Sequence, residues 1–370
     1  MIYFDNAAST PLSPRVKEVL FGELEHFANP SSLHSLGFEA EKRLKHAREQ
    51  VARTLSARPD EIFFCSGGTE ADNLGILGAA AKGRRMGNRI LSTDSEHPAT
   101  EECLRRLESE GFEVIRLSTR HGALDPDEIA EAANEKTILA AVMHTNNETG
   151  AVYDVAAVSR IVKGKNPRAL VFCDGVQGYC KTPILPQRMG IDLMSLSSHK
   201  IHGPKGVGAL WVKKGIQLPP LILGGGQEGG LRSGTENLPG IVAFGAAAEE
   251  SFGALPAAAE SMGAIRERIK ALLASDGRVR INEAKSPSCH LLSLQVPAFR
   301  SEVLLHALSA KGVFVSSGSA CSSHKGKSPV LKHFGLTDKE ADCTVRLSFS
   351  RFNTLSEADE FVRILKEILR

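Results

Sequence analysis

Short apolar runs alternate with longer, helix-like segments through the first half of the chain. The runs at 61–65, 89–97 and 138–145 each precede a helix-like segment, at 70–83, 98–111 and 154–164, and the run at 169–174 precedes a turn. Strands that are apolar throughout and separated by helices are typical of a parallel sheet buried on both faces. The pattern therefore predicts an open α/β fold, in which ligands bind at the carboxyl ends of the strands.

The last third of the chain follows a different order. A boundary is predicted near 251–260, and beyond it come a long helix, an apolar run at 289–296 and a polar loop around Cys321. This order indicates a second, smaller domain of the α+β class.

Length, charge and cysteine usage narrow the class of protein. The 370 residues suffice for two or three domains, and the 45 basic and 43 acidic side chains nearly cancel, which argues against nucleic acid or an anionic membrane as a partner. No apolar run reaches the ~18 residues that a membrane span needs, and the first residues, MIYFDNAAST, lack the pattern of a secretory signal. The seven cysteines are scattered singly, which argues against a disulfide framework and a structural zinc site. We expect a soluble protein of a reducing compartment, the cytoplasm.

Lys200 and Asp174 each come directly after an apolar run. Lys200 lies among serines, a histidine and a Gly/Pro turn, where small neighbours let a ligand approach. A lysine amine can form a Schiff base with an aldehyde cofactor, and an aspartate can keep a pyridinium nitrogen protonated so that the ring accepts electrons. Alone, Lys200 would be a solvated side chain and Asp174 a turn former or helix cap. Together, at strand ends, they favour a pyridoxal phosphate site.

Three further segments fit the same site. The stretch CSGGTEADN (65–73) predicts a strand, a Gly-Gly turn and a helix that opens at Thr69, and amides at a helix N-terminus bind phosphate. His97 follows a strand and could stack on a ring and relay protons, although a lone histidine is more often a packing residue. Asn147 and Gln177 could reach a ring oxygen, or could be turn residues.

Cys321 stands in the polar stretch SSGSACSS (316–323). A structural cysteine is buried among apolar neighbours, whereas a reactive thiol is exposed. The composition of this stretch leaves two possibilities open, a working thiol on a loop or a free surface cysteine.

Ten motifs in order along nearly the whole chain resemble those of the cysteine desulfurases of the NifS/IscS type, in the class V aminotransferase group of fold-type I pyridoxal phosphate enzymes. They are YFDNAAST, NPSSLH, SGGTEADN, NNETG, DGVQ, SSHKIHGPKGVGAL, GGGQE, RSGTEN, SSGSACSS and VRLSFSRF. The resemblance implies that L-cysteine is converted to L-alanine and that the sulfur is left as a persulfide on the enzyme.

The resemblance also implies a role for each matching residue. Lys200, Cys321 and His97 would be catalytic, as Schiff-base lysine, persulfide carrier and ring-stacking histidine. Asp174 would pair with the pyridine nitrogen, and Asn147 and Gln177 would contact the ring oxygen side. The phosphate would be held by Gly68, Thr69, Ser197 and His199, with Thr235 contributed by the other subunit of a homodimer. Asn29 and Arg346 would grip the substrate carboxylate.

The fold implied by the resemblance is a large pyridoxal-phosphate-binding domain (15–250) with a mostly parallel seven-stranded sheet flanked by helices. A small domain (1–14 and 251–370) would carry a mobile cysteine loop at about 316–329. A sulfur-acceptor protein, such as an iron–sulfur scaffold or a thiolation enzyme, is the expected partner. Two other readings stay open: another class V activity, such as a small-amino-acid aminotransferase or selenocysteine lyase, and an idle homologue that serves as a scaffold.

Overall fold

The structure, a computed structural model, describes residues 1–317 and 328–370. The strands are β1 (Ile2–Tyr3), β2 (Ile62–Cys65), β3 (Arg89–Thr93), β4 (Glu113–Leu117), β5 (Thr137–Met143), β6 (Leu170–Asp174), β7 (Leu193–Ser197), β8 (Gly208–Val212), β9 (Arg280–Ile281), β10 (Leu291–Gln295), β11 (Val313–Phe314) and β12 (Thr344–Ser348). The helices are α1 (Pro14–Leu24), α2 (Ser35–Thr54), α3 (Gly68–Gly83), α4 (Pro98–Ser109), α5 (Pro126–Ala132), α6 (Val155–Lys165), α7 (Leu238–Gly253), α8 (Leu255–Leu273), α9 (Ser301–Ala310), α10 (Pro329–His333), α11 (Asp338–Asp342) and α12 (Leu355–Ile368).

The largest sheet has seven strands in the order β2-β8-β7-β6-β5-β3-β4. Strands β7, β6, β5, β3 and β4 pair in parallel, and β8 runs antiparallel to both of its neighbours. The predicted mostly parallel, seven-stranded α/β sheet is confirmed. Because β8 is reversed, β2 runs in the same direction as β7, and the carboxyl ends of β2 and β7 lie on the same edge of the sheet as those of β3, β5 and β6. This edge is called the carboxyl edge below.

Alternate residues of the central strands enter two different apolar clusters, as the period of a strand requires. In β7, Leu193 packs in the cluster formed with α3 and α4, whereas Met194 and Leu196 pack in the cluster formed with α2, α6 and α7. Trp211 and Leu210 of β8 divide in the same way. The sheet is therefore covered by helices on both faces, which explains why its strands are apolar throughout.

A third apolar cluster lies outside the large sheet. It joins residues of β1 to α8, α9, α12 and the sheet β12-β10-β9, and Phe4 packs there edge-on against Phe349 and Phe361 at ring-centre distances of 5.0 and 5.8 Å. The change from one set of clusters to the other falls between α7 and α8, in the predicted boundary region. The division into two domains at residues 14 and 250 stays a prediction that this arrangement supports.

The helices that follow β2 and β3 begin directly at the carboxyl edge. Helix α3 starts at Gly68 after Gly67, whose backbone (φ 155°, ψ −173°) is one that side-chain-bearing residues hardly adopt. Helix α4 starts at Pro98, and the side chain of His97 caps it. The backbone N–H groups of two helix N-termini therefore face the same edge as the strand ends.

In the part of the chain that the structure describes, no helix combines the length and apolar character needed to cross a membrane.

Gly208 is the point at which β8 approaches the turn before α3. A Cβ at this position would lie 2.5 Å from the carbonyl oxygen of Leu196 and 2.7 Å from Cα of Gly67. We predict that Gly208→Ala lowers the free energy of unfolding by roughly 1–3 kcal/mol, because backbone atoms must move to admit the methyl group. Urea denaturation followed by circular dichroism measures this change.

Gly164→Ala is the matched control. Gly164 lies in α6, and a Cβ there would have no heavy atom within 4 Å. The same substitution should stabilise the protein by about 0.5 kcal/mol, because alanine loses less backbone entropy in a helix. A Gly208→Ala protein as stable as Gly164→Ala would contradict the close approach.

Candidate active site

A cavity of about 210 Å³ opens at the carboxyl edge of the large sheet. It collects residues that follow β2, β3, β5, β6 and β7, together with one residue of β12 and two of the N-terminal segment. Of the residues predicted from the sequence, those that line it are Gly68, Thr69, His97, Asn147, Asp174, Gln177, Ser197, His199, Lys200 and Arg346. Residues far apart along the chain, such as Gly68 and Arg346, therefore line the same cavity.

The reversed strand β8 determines how the two polar turns meet. Cys65 of β2 and Ser197 of β7 are both paired with Gly208, from opposite sides. The turn that leads into α3 therefore lies beside the end of β7, and a Cβ on Gly68 would be 3.8 Å from that of Ser197. Ser197 is buried, whereas Thr69 is exposed at the mouth of the cavity.

Asp174 forms the floor of the cavity at the end of β6. Its carboxylate accepts a hydrogen bond of 2.9 Å from the backbone N–H of Val176, and the residue is 7% exposed. Burial raises the pKa of Asp174, and His97 and Lys200 act in the opposite direction. A cationic partner would stabilise the ionised form of this carboxyl group.

His97 lies beside Asp174 and caps α4. Its Nδ1 accepts a hydrogen bond of 3.1 Å from the backbone N–H of Ala99, so the proton of the neutral ring resides on Nε2. Burial lowers the pKa of His97, while Asp174 raises it. The ring is therefore held by the helix start in a fixed tautomer.

Lys200 is held by the N-terminal segment. It follows β7 in a single helical turn, and its Nζ donates hydrogen bonds to the carbonyl oxygens of Ala7 and Ala8 at 2.6 and 2.8 Å. The Gln177 side chain donates from Nε2 to the same Ala7 carbonyl at 2.9 Å. The N-terminal segment therefore closes one side of the cavity and fixes the lysine in it.

Arg346 of β12 enters the cavity from the opposite side. It is buried, its Nη1 donates to the Asn147 carbonyl at 2.8 Å, and its Nη2 is paired with the Asp5 carboxylate at 2.8 Å. Its Nε has no hydrogen-bond partner among the residues that the structure describes. A buried N–H of this kind calls for an acceptor beyond the described residues, such as a bound ligand.

His199 belongs to the end of the cavity nearest β7. Its Nδ1 lies 3.2 Å from the Ser9 hydroxyl oxygen. Burial, reinforced by Lys200, lowers the pKa of His199 to about 4, so the imidazole is neutral at pH 7. A neutral imidazole can still donate one hydrogen bond to an anion.

Two of the predicted site residues that the structure describes, Asn29 and Thr235, do not line this cavity. Asn29 is exposed, with its side-chain oxygen accepting from the Ser31 N–H at 2.8 Å, and Thr235 is exposed in a separate cavity beside Ser66. Cys321 lies outside the described residues. The roles expected for all three stay predictions.

Two buried ionisable residues were not singled out by their sequence context. Asp72 of α3 lines the cavity, and its Oδ1 has no partner within 1–317 and 328–370. Burial, together with Asp174, raises the pKa of Asp72 well above its ordinary value. Lys181 is buried near Gln177. Spacing held a signal for both, since Asp72 lies within an apolar helix and Lys181 comes one helical turn after Gln177.

Glu96 lies behind His97, away from solvent. Its Oε1 accepts hydrogen bonds from the Thr93 hydroxyl at 2.7 Å and from the Met143 N–H at 2.9 Å, and its Oε2 is unpaired within the described chain. Burial raises the pKa of Glu96 to about 8.

Comparisons with known proteins find similarity along nearly the whole chain. A model of the family "Aminotransferase class-V" matches residues 2–361. A "Cysteine desulfurase IscS 1" of Archaeoglobus fulgidus is 36% identical over 378 residues, covering 100% of this chain and 97% of the relative. Among solved structures, a "NIFS-LIKE PROTEIN" has a TM-score of 0.94 at 36% identity, covering 100% and 99% of the two chains. "SspA in complex with cysteine" has a TM-score of 0.83 at 32% identity, covering 96% and 100%.

Glu96→Gln should make stability less dependent on pH. The folded state holds the Glu96 proton up to about pH 8, whereas the unfolded chain loses it near pH 4.5, so the free energy of unfolding of the wild type falls as pH rises between these values. Glutamine does not titrate. We expect the free energy of unfolding of Glu96→Gln, relative to that of the wild type, to rise by at least about 1 kcal/mol between pH 5 and pH 7. The upper limit of this rise is about 1.4 kcal/mol per pH unit. Urea titrations at pH 5, 6 and 7 measure it.

Glu102→Gln provides the control, because Glu102 is an exposed residue of α4 whose side chain is 64% accessible. Its stability difference from the wild type should stay constant across the same range. A constant difference for Glu96→Gln as well would show that Glu96 is ionised in the folded protein.

Proposed function

This chain belongs to the aminotransferase class-V family, and on that premise we propose that it is a pyridoxal-phosphate-dependent cysteine desulfurase. It would convert L-cysteine to L-alanine and hold the sulfur as a persulfide on Cys321, as a supply for iron–sulfur cluster or thio-cofactor synthesis. The observation that carries the proposal is the single cavity in which Lys200, Asp174 and His97 meet Arg346. Pyridoxal phosphate is a trait of the family, and the donor set of this cavity fits it.

Bound pyridoxal phosphate would supply a ring that accepts the negative charge left on the α-carbon of the substrate when its proton departs. Lys200 would carry the Schiff base, since its amine is the primary amine held at the centre of the cavity by Ala7 and Ala8. Asp174 would face the ring nitrogen and accept its N–H, which supplies the cationic partner that a buried carboxylate needs. His97 would lie against the ring with its Nε2 proton directed inward.

The phosphate would be held by neutral donors rather than by a lysine or arginine. The N-terminus of α3 at Gly68 and Thr69 offers backbone N–H groups and the positive end of the helix dipole. Ser197 and His199 add a hydroxyl and an imidazole N–H from the end of β7. Asn147 and Gln177 would face the ring oxygen on the opposite side.

The substrate carboxylate would bind to Arg346. Two of the three donor nitrogens of its guanidinium are fixed by Asn147 and Asp5, which leaves the unpaired Nε to meet an acceptor in a set direction. A guanidinium held in this way recognises a planar carboxylate. Asn29 would assist from a second copy of the chain, because in its own chain it lies outside the cavity.

Lys200 and Cys321 would share the proton and sulfur transfers. The Lys200 amine would take the α-proton of the substrate. The Cys321 thiolate would then attack the substrate sulfur: an S–S bond forms as the C–S bond breaks, the carbon keeps the electron pair and takes up a proton, and alanine leaves. Cysteine and the enzyme thiol are thereby converted to alanine and the enzyme persulfide, with no external oxidant.

The described residues on both sides of Cys321 support this assignment, because both are anchored at the cavity. Ser316 pairs with Arg346 through two backbone hydrogen bonds of 3.1 and 2.6 Å. The Ser328 hydroxyl donates to the buried carboxylate of Glu148 at 2.5 Å, and Glu148 follows the cavity residue Asn147.

A homodimer would complete the site. Large apolar side chains are exposed on α1, on the connection to α2, on the first turn of α2 and at 221–223: Phe21, Leu24, Phe27, Leu33, Leu36, Phe38, Leu221, Ile222 and Leu223. Pro30 and Glu236, the neighbours of Asn29 and Thr235, line one further cavity, so the two predicted residues missing from the active-site cavity lie on the same surface. A second copy seated on this surface would bring Thr235 to the phosphate of its partner.

The proposal also includes a location in the cytoplasm and a sulfur-acceptor protein that takes the sulfur from Cys321.

The activity is tested by incubating the purified protein with pyridoxal phosphate, L-cysteine and a thiol reductant. We expect sulfide and alanine in equal amounts, a loss of at least about a hundredfold in both for Cys321→Ala, and a loss of the absorbance of the bound cofactor for Lys200→Ala. The Cys321 variant lacks the attacking thiolate, whereas the Lys200 variant lacks the amine that binds the cofactor.

Cys343→Ala is the matched control, because Cys343 is a buried cysteine whose thiol donates to the Glu340 carbonyl, away from the cavity. It should retain normal turnover at a temperature at which it is folded. Full turnover by Cys321→Ala would instead indicate another class V reaction, and a protein that never binds pyridoxal phosphate would indicate a scaffold.

The dimer is tested with the double variant Phe27→Asp/Leu33→Asp, since these side chains are 89% and 87% exposed. We expect light scattering after gel filtration to give the mass of a dimer for the wild type and of a monomer for the variant, because two carboxylates cannot be buried in an apolar interface. Val303→Asp, on the exposed side of α9, should stay dimeric. A monomeric wild type would contradict the dimer, and a dimeric double variant would contradict this surface.

A further inference from the structure

Lys181 is a buried lysine that the proposed chemistry does not use. It lies in a run of tight turns after β6, in which Tyr179 N donates to Gly175 O at 2.8 Å and Lys181 N donates to Gly178 O at 3.0 Å. Gln177 and Lys181 therefore stand one helical turn apart with their side chains on the same side. Gly178 between them has no room for a side chain, because a Cβ would lie 2.5 Å from the His144 ring.

A chain of hydrogen bonds connects Lys181 to Lys200. Lys181 Nζ donates to Oε1 of Gln177 at 3.3 Å, Nε2 of Gln177 donates to the Ala7 carbonyl at 2.9 Å, and Lys200 Nζ donates to the same carbonyl at 2.6 Å. Because Lys181 is the donor in this contact, the amide of Gln177 turns its oxygen towards Lys181. Its NH₂ group is thereby directed towards Ala7 and the cavity.

Among the described residues, the groups that act on Lys181 include no carboxylate. The charged and titratable groups around it are Lys200, Arg346, Cys180, Cys289, His290, and, across a small second cavity of about 20 Å³ that Lys181 and Lys200 both line, His202 and Arg351. Burial, with Lys200, lowers the pKa of Lys181 to about 7. A buried amine without an anionic partner destabilises the fold, so its presence calls for a role that an apolar side chain would not fill.

We propose that Lys181 is a positioning residue that fixes the amide of Gln177 so that its NH₂ group donates to the ring oxygen of the bound cofactor. The inference rests on the proposed function, in which Gln177 faces that oxygen. Without Lys181 only the Ala7 carbonyl would oppose a 180° rotation of the amide, and in the rotated amide two acceptors would meet at the ring oxygen. Lys181 acts through Gln177 and touches neither substrate nor cofactor.

The position of Gln177 controls how strongly the proton is held on the nitrogen that joins Lys200 to the cofactor. That proton is shared with the ring oxygen, and a donor at the ring oxygen weakens the sharing. Loss of the donor should therefore allow the nitrogen to keep its proton to higher pH. The absorbance of the bound cofactor changes with this proton, so its pH midpoint reports on Gln177 without any turnover.

The test measures this midpoint for the cofactor-loaded wild type, Lys181→Met, Gln177→Met and the double variant. We expect Lys181→Met to raise the midpoint by about one pH unit, because a hydrogen bond to a charged group has about that effect. In a protein that already carries Gln177→Met, adding Lys181→Met should shift the pH midpoint by less than a third of the shift seen for Lys181→Met alone. The lysine then has no amide to orient. An unchanged midpoint in Lys181→Met, or equal shifts in both backgrounds, would overturn the proposal.

Two controls separate the role of Lys181 from general effects of losing a lysine. Lys181→Arg keeps a donor for Gln177 and should stay within about 0.3 pH unit of the wild type. Lys163→Met removes a lysine of α6 that donates to the Gly190 carbonyl and pairs with Asp192, remote from the cavity, and should leave the midpoint unchanged. If circular dichroism shows that Lys181→Met does not fold, Lys181→Ala, which admits water in place of the butyl chain, carries the same expectation.

The outcome also separates this inference from the proposed function. A wild type that shows no cofactor absorbance would overturn both. A wild type that loads normally and releases alanine and sulfide, beside a Lys181→Met protein with an unmoved midpoint, would overturn the role of Lys181 alone.

Discussion

The contact between the Lys200 ammonium and the carbonyl oxygens of Ala7 and Ala8 joins the N-terminal segment to the carboxyl edge of the large sheet. The backbone of Thr10 continues this attachment by donating to His199 O, and Ala7 N donates to the Ser348 hydroxyl of β12. Because Arg346 also lies on β12 and pairs with Asp5, the segment connects the lysine to the arginine. The cavity therefore exists only when the first ten residues lie between the sheet and β12.

The reversed strand β8 has an equally large effect on the site. Strand β8 lies between β2 and β7 and is antiparallel to both. Reversal through β8 returns β2 to the direction of β7, so that the start of α3 meets Ser197. Gly208 permits the approach, since its backbone is in contact distance of Gly67. One strand direction and one missing Cβ thus bring the N-terminus of a helix to the cavity.

The local pattern of apolar residues predicted the sheet and the positions of its polar strand ends, because strands buried on both faces leave a clear sequence pattern. It could not predict that β8 is reversed, since strand direction depends on the path of the chain between strands rather than on the residues within them. Asp72 and Lys181 were missed because, in sequence, an isolated charged residue resembles a surface residue. Their spacing, within an apolar helix and four residues after Gln177, is a weaker signal than the burial that the tertiary structure shows. Asn29 and Thr235 lie outside the cavity of their own chain, and the place proposed for them in a site shared with a second copy is one that no pattern within one chain locates in space. The position of Cys321 lies beyond the described residues, although Ser316 and Ser328 on either side of it are anchored by the cavity.

The buried carboxyl group of Asp174 links the filling of the cavity to acidity. Burial raises its pKa, while His97 and Lys200 act in the opposite direction. A ligand that brings a positively charged nitrogen to this floor favours the ionised form and lowers that pKa, so its binding is linked to proton release over the range in which the carboxyl group titrates. By mass action, such a ligand is held more tightly as pH rises through the range in which the carboxyl group titrates. Because β6 places the carboxylate of Asp174 deep in the cavity, the affinity of the protein for a cationic ring depends on pH.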